Sequence, residues 1–159
     1  MNKRRAMTAL IYLLIPAAVI AADQGMKRRA EKKYLGKPER TVPGTRGAVI
    51  LTDIHNSGAA LNLGEKYPGF IKGVSVALTA AMTLVFFATL GHAGSHMLKA
   101  GLSLLLGGAY SNALDRVRQG HVVDYIRLDI GIPALKRVVF NIADFAIIAG
   151  AGIAAIKSL

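Results

Sequence analysis

The sequence predicts an α-helical multi-pass membrane protein: four transmembrane helices, a small β-sheet carried in the loops, and a basic helix lying on the membrane surface. Three observations carry that expectation. Hydrophobic residues make up 53% of the 159 positions, the 20 Lys and Arg stand against only 9 Asp and Glu, and the basic residues cluster between the apolar stretches instead of within them. A chain this apolar is not a disordered basic tail. A nucleic-acid-binding domain with a charge of +11 would interleave Lys and Arg along one face, so no nucleic-acid partner is expected. The absence of Cys excludes disulfides, thiolate metal sites and thiol nucleophiles. The length fits a single membrane domain, 1–159.

The first apolar segment, 6–22, has 17 residues without a charge. At ~1.5 Å per residue a helix of that length reaches about 25 Å, enough for a bilayer core of about 30 Å with snorkelling ends. Lys3-Arg4-Arg5 before it would also suit a secretory signal, but Ile20 stands where cleavage after Ala22 needs a small residue, and three more apolar segments follow. The long loop 23–69 opens with Lys27, Arg28, Arg29, Lys32 and Lys33 among Ala30, Tyr34 and Leu35, which suits a short basic helix on anionic lipid. Residues 48–54 are rich in β-branched side chains and follow Gly44 and Gly47, so they read as a strand. Segment 70–90 is the second span, with Lys72 near its end. The third, 97–114, has Gly101, Gly107, Gly108, Ala109 and Ser111 to let helices approach closely. After a loop at 115–137, segment 138–156 is the fourth span, apolar except for Asn141 and Asp144. Four spans put both termini on one side. That side holds Lys3, Arg4, Arg5, Lys99 and Lys157, against nine basic residues in the first long loop and five in the second, so charge counting alone would place the long loops in the cytoplasm.

Ionisable residues in or beside membrane spans are costly and point to function. Asp23 ends the first span, Asp115 ends the third, Asp124 lies in Gly120-His-Val-Val-Asp-Tyr-Ile, and Asp144 lies in Phe140-Asn-Ile-Ala-Asp-Phe-Ala. Asp144 has no basic residue within four positions, so its partner must come from another element; Asn141, three residues earlier, would share its helical face. Two carboxyls in a low-dielectric site share one proton, and such a pair can activate water while protonating a leaving amine. Inert helix-capping or packing aspartates fit the same residues.

The motifs, taken together, resemble the lipoprotein signal peptidase (signal peptidase II) family over nearly the full chain. The matching blocks are Asp23-Gln24-x-x-Lys27, Asn56-Ser57-Gly58-Ala59-Ala60, Asn112-x-x-Asp115-Arg116 with Gly120-His-Val-Val-Asp124-Tyr-Ile, and Phe140-Asn141-Ile142-Ala143-Asp144. The resemblance implies an intramembrane aspartyl endopeptidase of the bacterial cytoplasmic membrane. Such an enzyme cuts before the lipidated Cys of diacylglyceryl-modified prolipoproteins. Asp124 and Asp144 match the catalytic pair. It also implies that loops 23–69 and 115–137 are extracytoplasmic and both termini cytoplasmic, against the charge count. Loops this long translocate largely regardless of charge, and their basic residues then meet anionic head groups. Substrate contact or support of the site falls to Asp23, Lys27, Asn56, Gly58, Asn112, Asp115, Arg116 and Asn141, with Asp23 capping and orienting and Arg116 either contacting substrate or clamping Asp115 or Asp23.

Met26, Leu61, Ser111 and Phe145 depart from the family's usual residues, which bears on substrate preference. His92 and His96 have metal-ligand spacing but no third ligand near them, so no metal and no cofactor are expected. Gly107-Gly108 and Gly150-Ala-Gly152 suit helix packing, Asp129 is a loop charge, and His121, which adjoins the Asp124 block, suits an interfacial position better than tuning of that block. A monomer suffices. The alternative from another class is a small proton-coupled transporter or assembly factor using the same Asp and Arg residues, although internal repeats and broken helices are lacking.

Overall fold

The computed structural model describes residues 3–59, 63–91 and 96–158, and in order along the chain they form helix α1 (Lys3–Tyr34), strands β1 (Arg40–Thr41) and β2 (Val49–Asn56), helices α2 (Pro68–Gly91) and α3 (His96–Gln119), strand β3 (Val122–Leu128), helix α4 (Pro133–Lys136), strand β4 (Val139–Phe140) and helix α5 (Ile142–Ser158). Leu61 and His92 lie outside the described residues. Two helical stretches, Ala9–Tyr34 of α1 and the whole of α2, are long and apolar enough to cross a membrane, and α5 holds a shorter apolar run, Ile142–Ile156.

Two boundaries differ from the sequence expectation. The basic segment after Asp23 is not a separate surface helix but the continuation of α1, which runs for 32 residues. Lys, Arg, Glu, Gln, Met and Ala all favour helix, and a single Gly25 does not stop it. The helix ends where Gly36 takes φ 66° and the Lys37 amide bonds the Tyr34 carbonyl at 2.9 Å. Of the five basic residues that follow Asp23 in this helix, Lys27 is buried while Arg28, Arg29, Lys32 and Lys33 are exposed. The fourth apolar segment likewise starts later than expected. Val139 and Phe140 pair with Arg127 and Ile126 of β3, so the run from 138 enters the sheet and the helix begins only at Ile142.

The chain divides into two compact units. One comprises α1 as far as Asp23, Ser75–Ala113 and the chain from Ile142. Its core is Tyr12, Phe86, Leu102 and Leu106, flanked by Ile15, Met82, Leu90, Leu98, Ala100 and Ala154. Glycine sets the helix spacing here. A Cβ on Gly150 would stand 2.5 Å from the Gly101 carbonyl oxygen and from the Leu105 nitrogen, and one on Gly108 would collide with the Ala143 carbonyl, so α3 and α5 pack backbone to backbone. A Cβ on Gly107 would lie 2.7 Å from Val19, which brings α1 onto the same helix. Gly152, by contrast, faces open space and takes no part in this packing. His96 starts α3 and is bonded to the Tyr12 hydroxyl.

The other unit comprises Gln24–Val74 and Leu114–Asn141. It is built on a four-stranded antiparallel sheet in the order β1-β2-β3-β4. Along β2 and β3, Leu51 pairs with Ile126 and Ile54 with Asp124, leaving two residues between the rungs on one strand against one on the other, so a β-bulge falls at Thr52-Asp53. Past the bulge the rungs are Ile54 with Asp124, His55 with Val123 and Asn56 with Val122. Asp129, expected as a bare loop charge, is paired with Lys136 at 2.8 Å.

Candidate active site

In the sheet-bearing unit the side chains converge on Asp124. Cross-strand partners share a face, so the rungs beyond the bulge put Asp124 and Asn56 on the same side of the sheet. Asn56 Nδ2 donates to Asp124 Oδ2 at 3.0 Å and Asn141 Nδ2 donates to Oδ1 at 2.7 Å, so each carboxyl oxygen accepts an amide hydrogen. Asp124 is 4% exposed and Asn141 is fully buried. Asn56 is itself fixed. Its Oδ1 accepts from the Gly58 amide at 2.9 Å, and the Gly58 carbonyl accepts from an Arg116 guanidinium nitrogen at 2.8 Å. Arg116, Gly58, Asn56, Asp124 and Asn141 thus form one hydrogen-bonded chain.

A second cluster in that unit surrounds Asp115. Lys27 Nζ stands 2.7 Å from Asp115 Oδ2, with both side chains nearly inaccessible, and Gln24 Nε2 donates to Oδ1 at 2.6 Å. A buried ion pair is stable only when both partners are satisfied, which the Gln24 bond helps to achieve. The motif Asp23-Gln24-x-x-Lys27 therefore splits its work, since Gln24 and Lys27 serve Asp115 while Asp23 serves the helical unit.

In the helical unit Asp23 has no exposed surface; it accepts from Ser111 Oγ at 2.7 Å and from the Ala143 amide at 3.2 Å. Ala143 lies in the first turn of α5, where backbone N–H groups lack intrahelical acceptors and the helix dipole favours a negative charge. Asp23 is thus a capping group supplied by another helix. Ser111, singled out as a departure from the family pattern, contributes the hydroxyl that helps hold it. Asn112 Nδ2 donates to Asp144 Oδ1 at 2.8 Å. Phe145 is 38% exposed.

At Asn141 the expected support of the site is found, but at the other carboxyl from the one whose helical face it was expected to share. It is not on a helical face beside Asp144; it precedes α5 and its amide is given to Asp124, while Asp144 takes its amide from Asn112. Sequence reasoning missed Asp53 and His55. Their i, i+2 spacing in a strand places both on one face and was a usable signal. His121, read as interfacial, stacks on His55 with ring centroids 4.1 Å apart.

No metal cluster of three or more His, Cys, Asp or Glu occurs among the described residues. Carboxyls oriented by amide donors, without a thiol, suit acid–base chemistry on water.

Comparison with known proteins adds to this geometry. Residues 15–159 match the family model described as signal peptidase (SPase) II. A lipoprotein signal peptidase of Caldicellulosiruptor bescii is 33% identical over 141 residues, 89% of this chain and 85% of that protein. One from Moorella thermoacetica is 35% identical over 87% of this chain and 86% of its own length, and one from Xanthomonas campestris 35% over 95% and 89%. Among solved structures, a bacterial membrane enzyme obtained by the in meso method at 2.3 Å resolution is 25% identical, with a TM-score of 0.74 over 92% of this chain and 85% of that one. Another, at 1.9 Å resolution, shares the fold at 23% identity, with a TM-score of 0.75 over 94% and 92%. With a family match over most of its length and relatives at this identity, the chain belongs to the signal peptidase II family.

Proposed function

We propose that this chain is an aspartic endopeptidase of the bacterial cytoplasmic membrane that removes signal peptides from diacylglyceryl-modified prolipoproteins, cutting before the lipidated Cys, with Asp124 and Asp144 as the reacting carboxyls. The observation that carries the reading is that both carboxyls are held by side-chain amides, Asp124 by Asn56 and Asn141 and Asp144 by Asn112, in a member of a peptidase family that has no Cys to serve as nucleophile. Removal of signal peptides is the activity of the family.

The chemistry needs one carboxylate and one carboxylic acid. The carboxylate takes a proton from water as the water oxygen bonds to the scissile carbonyl carbon. The acid gives its proton to the carbonyl oxygen. When the tetrahedral intermediate collapses, the C–N bond breaks, the nitrogen takes up a proton, and the lipidated Cys becomes a new N-terminus. The amide donors fix the carboxyls so that no reorientation is needed as charge moves. Asn141 stands three residues before Asp144, so a single short stretch of chain gives a donor to one carboxyl and carries the other.

The reading includes four spans, with α3 and α5 joining the two long apolar helices, both termini cytoplasmic, and loops 23–69 and 115–137 outside. Exposed Arg28, Arg29, Lys32 and Lys33 then meet anionic head groups. A monomer is sufficient. The transporter and assembly-factor readings are not favoured, because the family they would have to displace covers residues 15–159.

The test compares cleavage of a diacylated lipobox substrate with that of its unlipidated form by the purified full chain. The lipidated substrate alone should be cut. Asp124→Asn and Asp144→Asn should each abolish cleavage without unfolding, and an active Asp144→Asn protein would defeat the assignment. Reporter fusions within 23–69 report the orientation separately.

A further inference from the structure

On the face of the sheet opposite Asp124 lies a second cluster. Asp53, at the bulge, has a side chain with no accessible surface, and neither of its oxygens receives a hydrogen bond among the described residues. Its partner is His55, whose Nε2 stands 3.4 Å from Asp53 Oδ2. The His55 ring stacks on His121, centroids 4.1 Å apart and planes 20° from parallel. These residues close the β2–β3 ladder. His55 pairs with Val123, Asn56 with Val122 in the last rung, and His121 comes just before Val122.

A ladder end frays unless cross-strand side chains hold it, and diagonal ring pairs are one means of doing so. Successive strand residues point to opposite faces, so whatever fixes His55 on one face fixes the direction of Asn56 on the other. Asn56 is the residue whose amide reaches Asp124.

We propose that His55 and His121 are positioning residues for Asp124, their stacked rings, anchored by Asp53 at the bulge, holding the strand ends in the register that gives Asn56 to the carboxyl. The proposal rests on the assignment of Asp124 as a reacting group for its effect on rate, but not for its effect on geometry.

The electrostatics agree with stacking of a neutral His121 ring. Burial pushes the His121 imidazole below its ordinary range and the His55 charge adds to this, against the Gln119 backbone and the carboxylates of Glu31 in α1 and Asp115 in α3. Burial also raises the Asp53 carboxyl, opposed by His55 and His121. The bulge thus places a carboxyl that resists charging next to an imidazole pair.

The experiment follows two readouts in the full chain in detergent micelles: the Asn56 side-chain amide resonance, and kcat and KM on a diacylated lipobox peptide. In His121→Ala the Asn56 amide should move toward its solvent-exposed position and exchange faster, with kcat down about tenfold and KM nearly constant, as expected for a misaimed group. His121→Phe, which keeps a ring to stack, should recover most of that loss. If His121→Ala does not fold, His55→Gln, which keeps a polar side chain beside Asp53 but no ring, replaces it. An unmoved Asn56 resonance overturns the proposal, whatever kcat does. An active Asp124→Asn protein would instead overturn the functional reading, and the Asn56 resonance would still decide on the clamp.

Discussion

Asp124 and Asp144 are supported in different ways. Asp124 sits in a strand, 4% exposed, with an amide on each oxygen, and one of those amides is steadied in turn through Gly58 and Arg116. Asp144 is only partly buried, in the first turn of a helix, and it takes the Asn112 amide from α3. Its position depends on close helix packing, with Gly108 against the Ala143 carbonyl and Gly101 against Gly150. The same side-chain donor, Asn, is used in both places. One carboxyl is held by a hydrogen-bonded loop network and the other by glycine-spaced helices, so damage to each should arise from different substitutions.

The largest effect expected is loss of the carboxyls themselves. Asp124→Asn or Asp144→Asn should lower kcat by about 10³-fold or more, with an unchanged melting profile; equal residual activity in both would show them acting as one unit. Lys27→Met comes next. It leaves Asp115 charged and buried, at a stability cost of about 3–5 kcal/mol measured by denaturation in detergent. A smaller loss would mean that water reaches the pair.

Asn141→Ala and Asn112→Ala then test the comparison directly. Water can replace a lost donor at the partly exposed Asp144 more readily than at Asp124, so Asn141→Ala should reduce kcat more, by about 2 kcal/mol of barrier against about 1 for Asn112→Ala. The reverse order would make Asp144 the more tightly held carboxyl.

The smallest effect concerns pH. His121 titrates below its ordinary 6.5 in the folded protein, so the folded state binds fewer protons than the unfolded one as pH falls through that value, and stability drops there. Asp53 is raised above 3.8, so at lower pH it takes up its proton earlier when folded and restores part of the loss. Melting profiles of the wild type should show this shallow dip on the acid side of 6.5, and His121→Phe should flatten it.

Much of this was legible in the sequence for definite reasons. Apolar runs bounded by charge located α2 and the core of α3 closely, and Gly101, Gly107 and Gly108 do pack helices. The run from Val138 misled because β-branched and aromatic residues at the edge of an apolar stretch suit strand and helix alike, and only pairing with β3 decides between them. The basic end of α1 misled because its composition changes while its helix propensity does not. The aspartates stood out by their cost. The donor that each receives did not, since the Asn56 bond depends on strand register and hence on a bulge that no local pattern announces.

The bond from Asp23 to the Ala143 amide also has a kinetic side. Its ends are 120 residues apart in sequence. A contact of such long range closes late, after the intervening chain has been made and placed. Until it does, the first turn of the helix bearing Asp144 has an amide without its acceptor. A nascent or truncated chain therefore holds Asp144 on an unfinished helix, and completing the fold and fixing that carboxyl become the same event.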